Sequence, residues 1–268
     1  MERWAGKVAI VTGASTGIGA AIARSLVDND VKVVGLARRM EKLQEVAGGL
    51  KKGMFHSIVC DVRKEEDILK AFEWTKKKFG GADILVNNAG VATQTSIIDT
   101  PTEEYRKIID INVIAPAICA REFIQSIKER NGAGHIINIS SLAGRHAECV
   151  KIPMGMYCAS KYALNALTTE LRHEIIYNKL NIKITIVSPG AVLTDMLKDI
   201  VKSDAILNNL PALKETDIAD GVIYTLKTPQ GAEERMRLII QNFCFFPRHS
   251  HLTEYLKYIV ITKIRDTC

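Results

Sequence analysis

The fold is decided by Val8-Ala9-Ile10-Val11-Thr12-Gly13-Ala14-Ser15-Thr16-Gly17-Ile18-Gly19. Val8 to Val11 is a short apolar run, the signature of a strand buried on both faces. Gly13, Gly17 and Gly19 then mark a tight turn. Apolar residues recur at Ile18, Ile22 and Leu26, along one face of a helix. Strand, glycine-rich turn and helix follow each other directly. Such a turn lets a ligand approach the backbone closely, and the first N–H groups of the helix suit a pyrophosphate. An ordinary connection has the same outline, so the neighbouring segments carry the decision.

Five further strands read out in order. Lys32-Val33-Val34-Gly35-Leu36-Ala37 runs into Arg38-Arg39. In dinucleotide folds an acidic residue near that point holds the ribose 2′-hydroxyl. Two guanidinium groups there suit a 2′-phosphate instead, hence NADP(H), or else are surface arginines. Ser57-Ile58-Val59-Cys60 closes on Asp61-Val62, where Asp61 is either an acceptor for an adenine amino group or a capping residue. Ile84-Leu85-Val86 leads into the small, polar Asn87-Asn88-Ala89-Gly90. Ile136-Ile137-Asn138-Ile139 ends in Ser140-Ser141, and Lys183-Ile184-Thr185-Ile186-Val187 ends in Ser188-Pro189-Gly190-Ala191-Val192-Leu193-Thr194. Helical patterns intervene at about 65–79 and 103–129, with another after the sixth strand at about 216–227. Strand and helix alternate without linker or repeat over the first 190 residues or so. The expectation is α/β: a single Rossmann-type doubly wound parallel sheet with helices on both faces.

Two places carry possible chemistry. Tyr157-Cys158-Ala159-Ser160-Lys161 puts a phenol and an ammonium four residues apart, on one face if helical. A nearby ammonium favours the phenolate, which predicts a lowered tyrosine pKa and a general acid/base. Asn112 lies inside the long 103–129 helix, four residues before Pro116. Proline has no N–H to give the Asn112 carbonyl, so a kink is expected there, with a water as the natural substitute partner.

Composition narrows the function. The 268 residues suit one large domain, and 47% are apolar. The formal net charge of +6 is spread along the chain, with no basic arm interleaved with aromatics, which speaks against nucleic acid. Six cysteines include no Cys-x-x-Cys pair and no Cys/His set at metal spacing, so no metal is expected. No apolar leader and no run near ~20 apolar residues is seen, so no integral membrane segment is expected and a cytoplasmic setting is.

Thr12-Gly13-x-x-x-Gly17-x-Gly19, Asn87-Asn88-Ala89-Gly90, Asn112, Ser141, Tyr157-x-x-x-Lys161 and Pro189-Gly190 occur in this order. Together they resemble the short-chain dehydrogenase/reductase family over residues 6 to about 229. Arg3-Trp4 and Gly35-Leu36-Ala37-Arg38-Arg39 are similar to insect NADP-dependent farnesol dehydrogenases and to cytosolic ketosteroid reductases. The resemblance implies Tyr157 as proton donor or acceptor, with Lys161 lowering its pKa and binding the nicotinamide ribose. It implies Ser141 on the substrate oxygen and the Asn112 carbonyl on a relay water. Val192 and Thr194 would meet the carboxamide, beside Pro189 and Gly190. Gly13, Ser15, Thr16, Gly17, Ile18, Gly19, Arg38, Arg39, Asp61, Val62, Asn88, Ala89 and Gly90 would line the rest of an NADP(H) site. The implied activity is reversible hydride transfer on a small apolar alcohol or carbonyl: farnesol/farnesal first, a ketosteroid or other lipid carbonyl second. A non-catalytic NADP-binding protein is the reading from another class. The 195–213 segment, with Met196, Leu197, Ile200, Val201, Ile206, Leu207 and Leu210, is apolar enough for a greasy substrate. A homodimer or homotetramer on the helices near 103–129 and 155–178 is implied as well. Residues 1–241 would form the domain, with Met236-Arg237-Leu238-Ile239-Ile240 as its last strand, or Tyr258-Ile259-Val260-Ile261-Thr262 as the alternative. Residues 242–268, rich in aromatics, would be an extension packed on its own domain or on a neighbouring subunit near the substrate opening, with a peripheral membrane contact and a disordered tail as the alternatives.

Overall fold

Strand β1 (Val8–Thr12) feeds helix α1 (Gly17–Asp28), and the alternation continues through β2 (Lys32–Ala37), α2 (Met40–Gly48), β3 (Phe55–Val59), α3 (Glu65–Phe79) and β4 (Ile84–Asn87). Helix α4 (Thr102–Ile109), a π-helical turn at Asp110–Ile114 and α5 (Ala115–Arg130) form one long rod before β5 (Gly134–Ile139). Then come α6 (Tyr157–Tyr177), β6 (Ile182–Pro189), the short α7 (Asp195–Val201) and α8 (Asp204–Asn209), α9 (Glu215–Lys227) and β7 (Met236–Ile239). The computed structural model describes residues 1–150, 152–229 and 236–239. The alternative last strand at 258–262 and the 242–268 extension lie outside the described residues.

Among the described residues the seven strands are all parallel, in the order β3-β2-β1-β4-β5-β6-β7. The order reverses at β1, which pairs with β2 on one side and β4 on the other, Val11 facing Gly35 and Val86. Ligands of open α/β sheets bind outside the carboxyl ends of the strands at such a switch point. Every residue of β1 is buried, because helices cover both faces. Ala9 and Val11 join one core with Ile22 and Leu26 of α1 and Val222 and Leu226 of α9. Val8 and Ile10 join the other, with Ile68 and Phe72 of α3, Phe123 and Ile127 of α5 and Ile175 of α6. Side chains buried as fully as Ile10, Ile22 and Phe123 each contribute roughly 1.5–3 kcal/mol of apolar burial. The Trp4 indole N–H donates to the Leu226 carbonyl at 2.9 Å and the Arg3 guanidinium to the same oxygen at 2.8 Å, tying the start of the chain to the end of α9.

Three boundaries differ from the sequence expectation. The kink before Pro116 is a π-helical turn, closed by the Ala115 N–H on the Asp110 carbonyl. The widened turn absorbs the missing proline N–H. Pro189 is the last residue of β6, beside Ile239 of β7, rather than part of the turn that follows. The weakly patterned 195–213 segment holds two short helices, and Leu213 returns to bridge Val192.

Candidate active site

The carboxyl ends of β1 and β4 meet in an interlocked pair of turns. Gly13 has φ +66° and Gly17 φ +56°, conformations that favour glycine. At Gly19 a Cβ would stand 2.2 Å from the Gly13 carbonyl oxygen, so the helix start can close on the turn only without a side chain. Asn88 donates from its amide to the Thr12 carbonyl at 2.9 Å and the Gly13 carbonyl at 3.2 Å. In return the Thr12 hydroxyl accepts the backbone N–H groups of Asn88 and Ala89, both at 3.0 Å. Sequence reading gave Thr12 no role beyond its place in the motif; its only signal was a small hydroxyl directly before the first glycine. Thr16 caps α1 by position but makes no side-chain cap, and Ser15, Thr16 and Ile18 are part-buried around the helix start. Those first N–H groups, with the positive end of the helix dipole, fit a pyrophosphate.

At the adjoining ends of β2 and β3, Ala37 faces Val59 and the Cys60 N–H donates to the Ala37 carbonyl. The register brings Arg38, Arg39, Asp61 and Val62 to one edge. Both arginines are exposed. Asp61 is part-buried, and both its oxygens are held by the Arg63 guanidinium: Nη2 on Oδ2 at 2.5 Å, Nε on Oδ1 at 3.1 Å. Arg63 accordingly holds the carboxyl below the usual range. As an acceptor for an adenine amino group Asp61 therefore already has a partner, and sequence reading did not single out Arg63. Cys60, just before it, is buried, which pushes its thiol up to about 12 and leaves it a small apolar side chain.

Asn112 is fully buried in the π-helical turn. Its amide bonds the Val91 backbone in both directions, accepting from the N–H and donating to the carbonyl, each at 2.9 Å. It also donates to the Ser160 hydroxyl at 2.9 Å, and Ser160 donates to the Tyr157 carbonyl at 2.7 Å. One side chain thus joins the β4 turn, the α4–α5 rod and the first turn of α6. Gly90 sits where these meet: a Cβ there would be 3.5 Å from Asn112 Oδ1 and 3.6 Å from Lys161 Nζ.

Tyr157 is the first residue of α6 and Lys161 lies one turn on, its Nζ 5.8 Å from the phenol ring centre. Lys161 is buried, with Nζ donating to the Ile139 carbonyl at 2.9 Å, and burial pulls its pKa down to about 8. The expected lowering of the tyrosine pKa by this lysine is corrected by the structure. Burial is the largest influence and raises the phenol, while a hydrogen bond with Ser141 pulls it back. Burial acts on the lysine as well, disfavouring its charge and weakening the pull it could exert on the phenol. Of the two serines, Ser141 reaches the phenol; Ser140 is buried and turned to the Lys161 carbonyl, at 3.5 Å. Ser141 also accepts the Ala143 N–H at 3.1 Å, which fixes the turn that carries it.

The turn after β6 closes the site. The Gly190 N–H donates to the Ile239 carbonyl, Val192 is buried, and Thr194 starts α7 by accepting the Leu197 N–H. Thr194 Cγ2 would lie 3.4 Å from a Cβ on Gly17, so this turn leans on the glycine-rich turn. Among the described residues no cluster of His, Cys, Asp or Glu could hold a metal ion, and no helix is long and apolar enough to cross a membrane.

Comparison with known proteins agrees with this arrangement. The short chain dehydrogenase family matches residues 7–205. Farnesol dehydrogenase of Aedes aegypti is 43% identical, over 85% of this chain and 93% of that protein. The human dehydrogenase/reductase SDR family member 11 is 41% identical, over 85% and 92%. L-sorbose reductase of Gluconobacter frateurii, solved with NADPH and L-sorbose, superposes with a TM-score of 0.80 at 25% identity, over 91% of this chain and 98% of that one. A metagenomic short-chain oxidoreductase in complex with NADP gives 0.73 at 31%, over 89% and 99%. A doubly wound sheet whose strand ends carry a dinucleotide turn at one side and a tyrosine–lysine helix at the other, matched over most of the chain, makes this protein a member of the short-chain dehydrogenase/reductase family, an oxidoreductase on a fold that binds a nicotinamide cofactor.

Proposed function

We propose that this chain is an NADP(H)-dependent oxidoreductase that interconverts an apolar alcohol and its aldehyde or ketone, with farnesol and farnesal as the first pair. The observation that carries the proposal is the convergence of Tyr157, Ser141 and Lys161 with Asn112 and Gly90 on one sheet edge. When bound, the nicotinamide supplies or takes the hydride. The chain's own groups handle the proton and the oxygen. A phenol held neutral by burial donates to the oxygen of a carbonyl being reduced, and Ser141 offers that oxygen a second hydrogen bond. The Lys161 ammonium, lowered to about 8, opposes the negative charge left on the phenol and sits near a working pH for proton exchange. Asn112 holds the β4 turn and the start of α6 in register.

NADP rather than NAD is supported by Arg38 and Arg39 at the end of β2, where a 2′-phosphate would lie. Two solved relatives carry NADPH or NADP. An apolar substrate is supported by α7 and α8, with exposed Met196 and Leu193 beside the turn that holds Thr194. A dimer or tetramer on α5 and α6 is part of the proposal, since Ile114 leads into α5 exposed and Ile176 and Tyr177 end α6 exposed.

The test is a turnover screen of isoprenoid alcohols, their aldehydes and ketosteroids with NADP and NAD side by side. Preferred turnover of farnesol with NADP is expected. Preference for a ketosteroid replaces the substrate, and NADP binding without turnover of any pair makes the chain a cofactor-binding protein instead.

A further inference from the structure

Arg38, Arg39 and Arg63 stand at one sheet edge with the Asp61 carboxylate. Asp61 follows β3 by two residues and Arg38 follows β2 by one, and these strands are paired up to Ala37 and Val59. The Arg38 charge reaches Asp61 directly. Left alone, that carboxylate would be a partner for Arg38 and would compete with any phosphate for it. It is not left alone. Arg63 spans both Asp61 oxygens, its Nε at 3.1 Å from each and its Nη2 at 2.5 Å from Oδ2. The Arg63 backbone N–H adds a fourth bond to Oδ1 at 3.1 Å. The Asp61 backbone is pinned as well, its N–H donating to Asp67 Oδ2 at 3.1 Å. Asp110, at the head of the π-helical turn, adds a further negative charge that favours the Arg63 cation where it stands. Among the described residues, neither Arg38 nor Arg39 is held in an ion pair.

We infer that Arg63 is a specificity-determining residue: by saturating Asp61 it leaves Arg38 and Arg39 free for the 2′-phosphate of the cofactor. It acts on the carboxylate and not on the phosphate. This rests on the NADP(H) reading above. If that reading is wrong, the unaltered protein binds NAD as tightly as NADP, whatever Arg63 does.

The test measures binding itself, by titration calorimetry of NADP+ and NAD+ in 20 mM and 300 mM salt (about a fourfold difference in screening length), without any turnover assay. Arg63→Gln should weaken NADP+ about three- to fivefold at low salt and leave NAD+ unchanged, the size of an exposed ion pair. The loss should shrink at high salt, because Arg38, Arg39 and Arg63 are exposed charges on the surface around the half-buried Asp61. Arg63→Gln combined with Asp61→Asn should restore the NADP+/NAD+ ratio to within about twofold of the starting protein, since the competing carboxylate is gone. Circular dichroism and melting temperature on each variant show that the fold is kept. An unchanged ratio in Arg63→Gln overturns the inference. So does a double variant that stays as weak as the single one, which would mean that Arg63 touches the phosphate itself.

Discussion

The two ends of the candidate site are built from opposite materials. At the β4–β5–α6 end the groups are buried or half-buried and tied together: the Asn112 side chain to Val91 and Ser160, the Ser160 hydroxyl to the Tyr157 carbonyl, Lys161 to the Ile139 carbonyl. At the β2–β3 end they are charged and mostly exposed, and they meet as guanidinium and carboxylate. The difference teaches which property each end controls. A buried, saturated network tolerates almost no change, because each lost partner strands a polar group out of reach of water. Exposed charges are screened and adjustable in small steps, which suits a choice between two cofactors differing by one phosphate.

The contrast breaks first, if it breaks, at Tyr157. Tyr157→Phe keeps the ring and removes the oxygen, so turnover should fall by about 10²–10⁴-fold with cofactor binding retained. Steady-state kinetics beside a binding titration reads both, and turnover within tenfold of the starting protein would remove Tyr157 from the chemistry. Next in size is Asn112→Ala, which takes the side-chain partner from the Val91 N–H and carbonyl and one of two hydrogen bonds from the Ser160 hydroxyl. A loss of about 3 kcal/mol in urea unfolding is expected, from unsatisfied buried groups at ~1–3 kcal/mol each. A loss below ~1 kcal/mol would mean that the network is not rigid.

Lys161 sharpens the comparison through pH. Its pKa is about 8 in the folded protein against 10.5 for the free side chain. Between those values the unfolded chain binds more protons than the folded one, so stability should rise with pH across that window. Below about pH 8 the lysine is charged in both states and its full cost remains. Relative to Lys161→Met, unfolding free energy should climb by roughly 3 kcal/mol from pH 8 to 10.5. Parallel curves for the two proteins would contradict a desolvated ammonium. The smallest effect belongs to the exposed end: Arg38→Ala should weaken NADP by about ten- to a hundredfold and NAD hardly at all. Equal loss for both cofactors would show that Arg38 does not read the phosphate.

Much of this molecule was legible in one dimension. The apolar runs at Val8, Lys32, Ile84, Ile136 and Lys183 each gave a strand within one or two residues, because a strand buried on both faces is mostly apolar. Glycine spacing announced the turn, since only glycine allows the 2.2 Å approach at residue 19. Pro116 announced an irregular helix, though whether it would bend or widen depended on what packs around it. Ser160 and Thr12 were invisible as site residues, because a serine in a helix or a threonine at a strand end looks the same whether or not a distant amide meets it.

The sequence by itself determined the alternation of strands and helices, the order of the motifs, and which residue types stand at each strand end. Those are properties of local period and steric permission, and they are complete within a dozen residues. Only the tertiary structure decided what each group does to its neighbour. The phenol of Tyr157 is raised rather than lowered because burial acts on it and on Lys161 alike, and burial is a property of the packed sheet edge, not of four residues of spacing. Asp61 comes within reach of the Arg38 charge because β2 and β3 end side by side, and no one-dimensional pattern states which of two strands ends next to which.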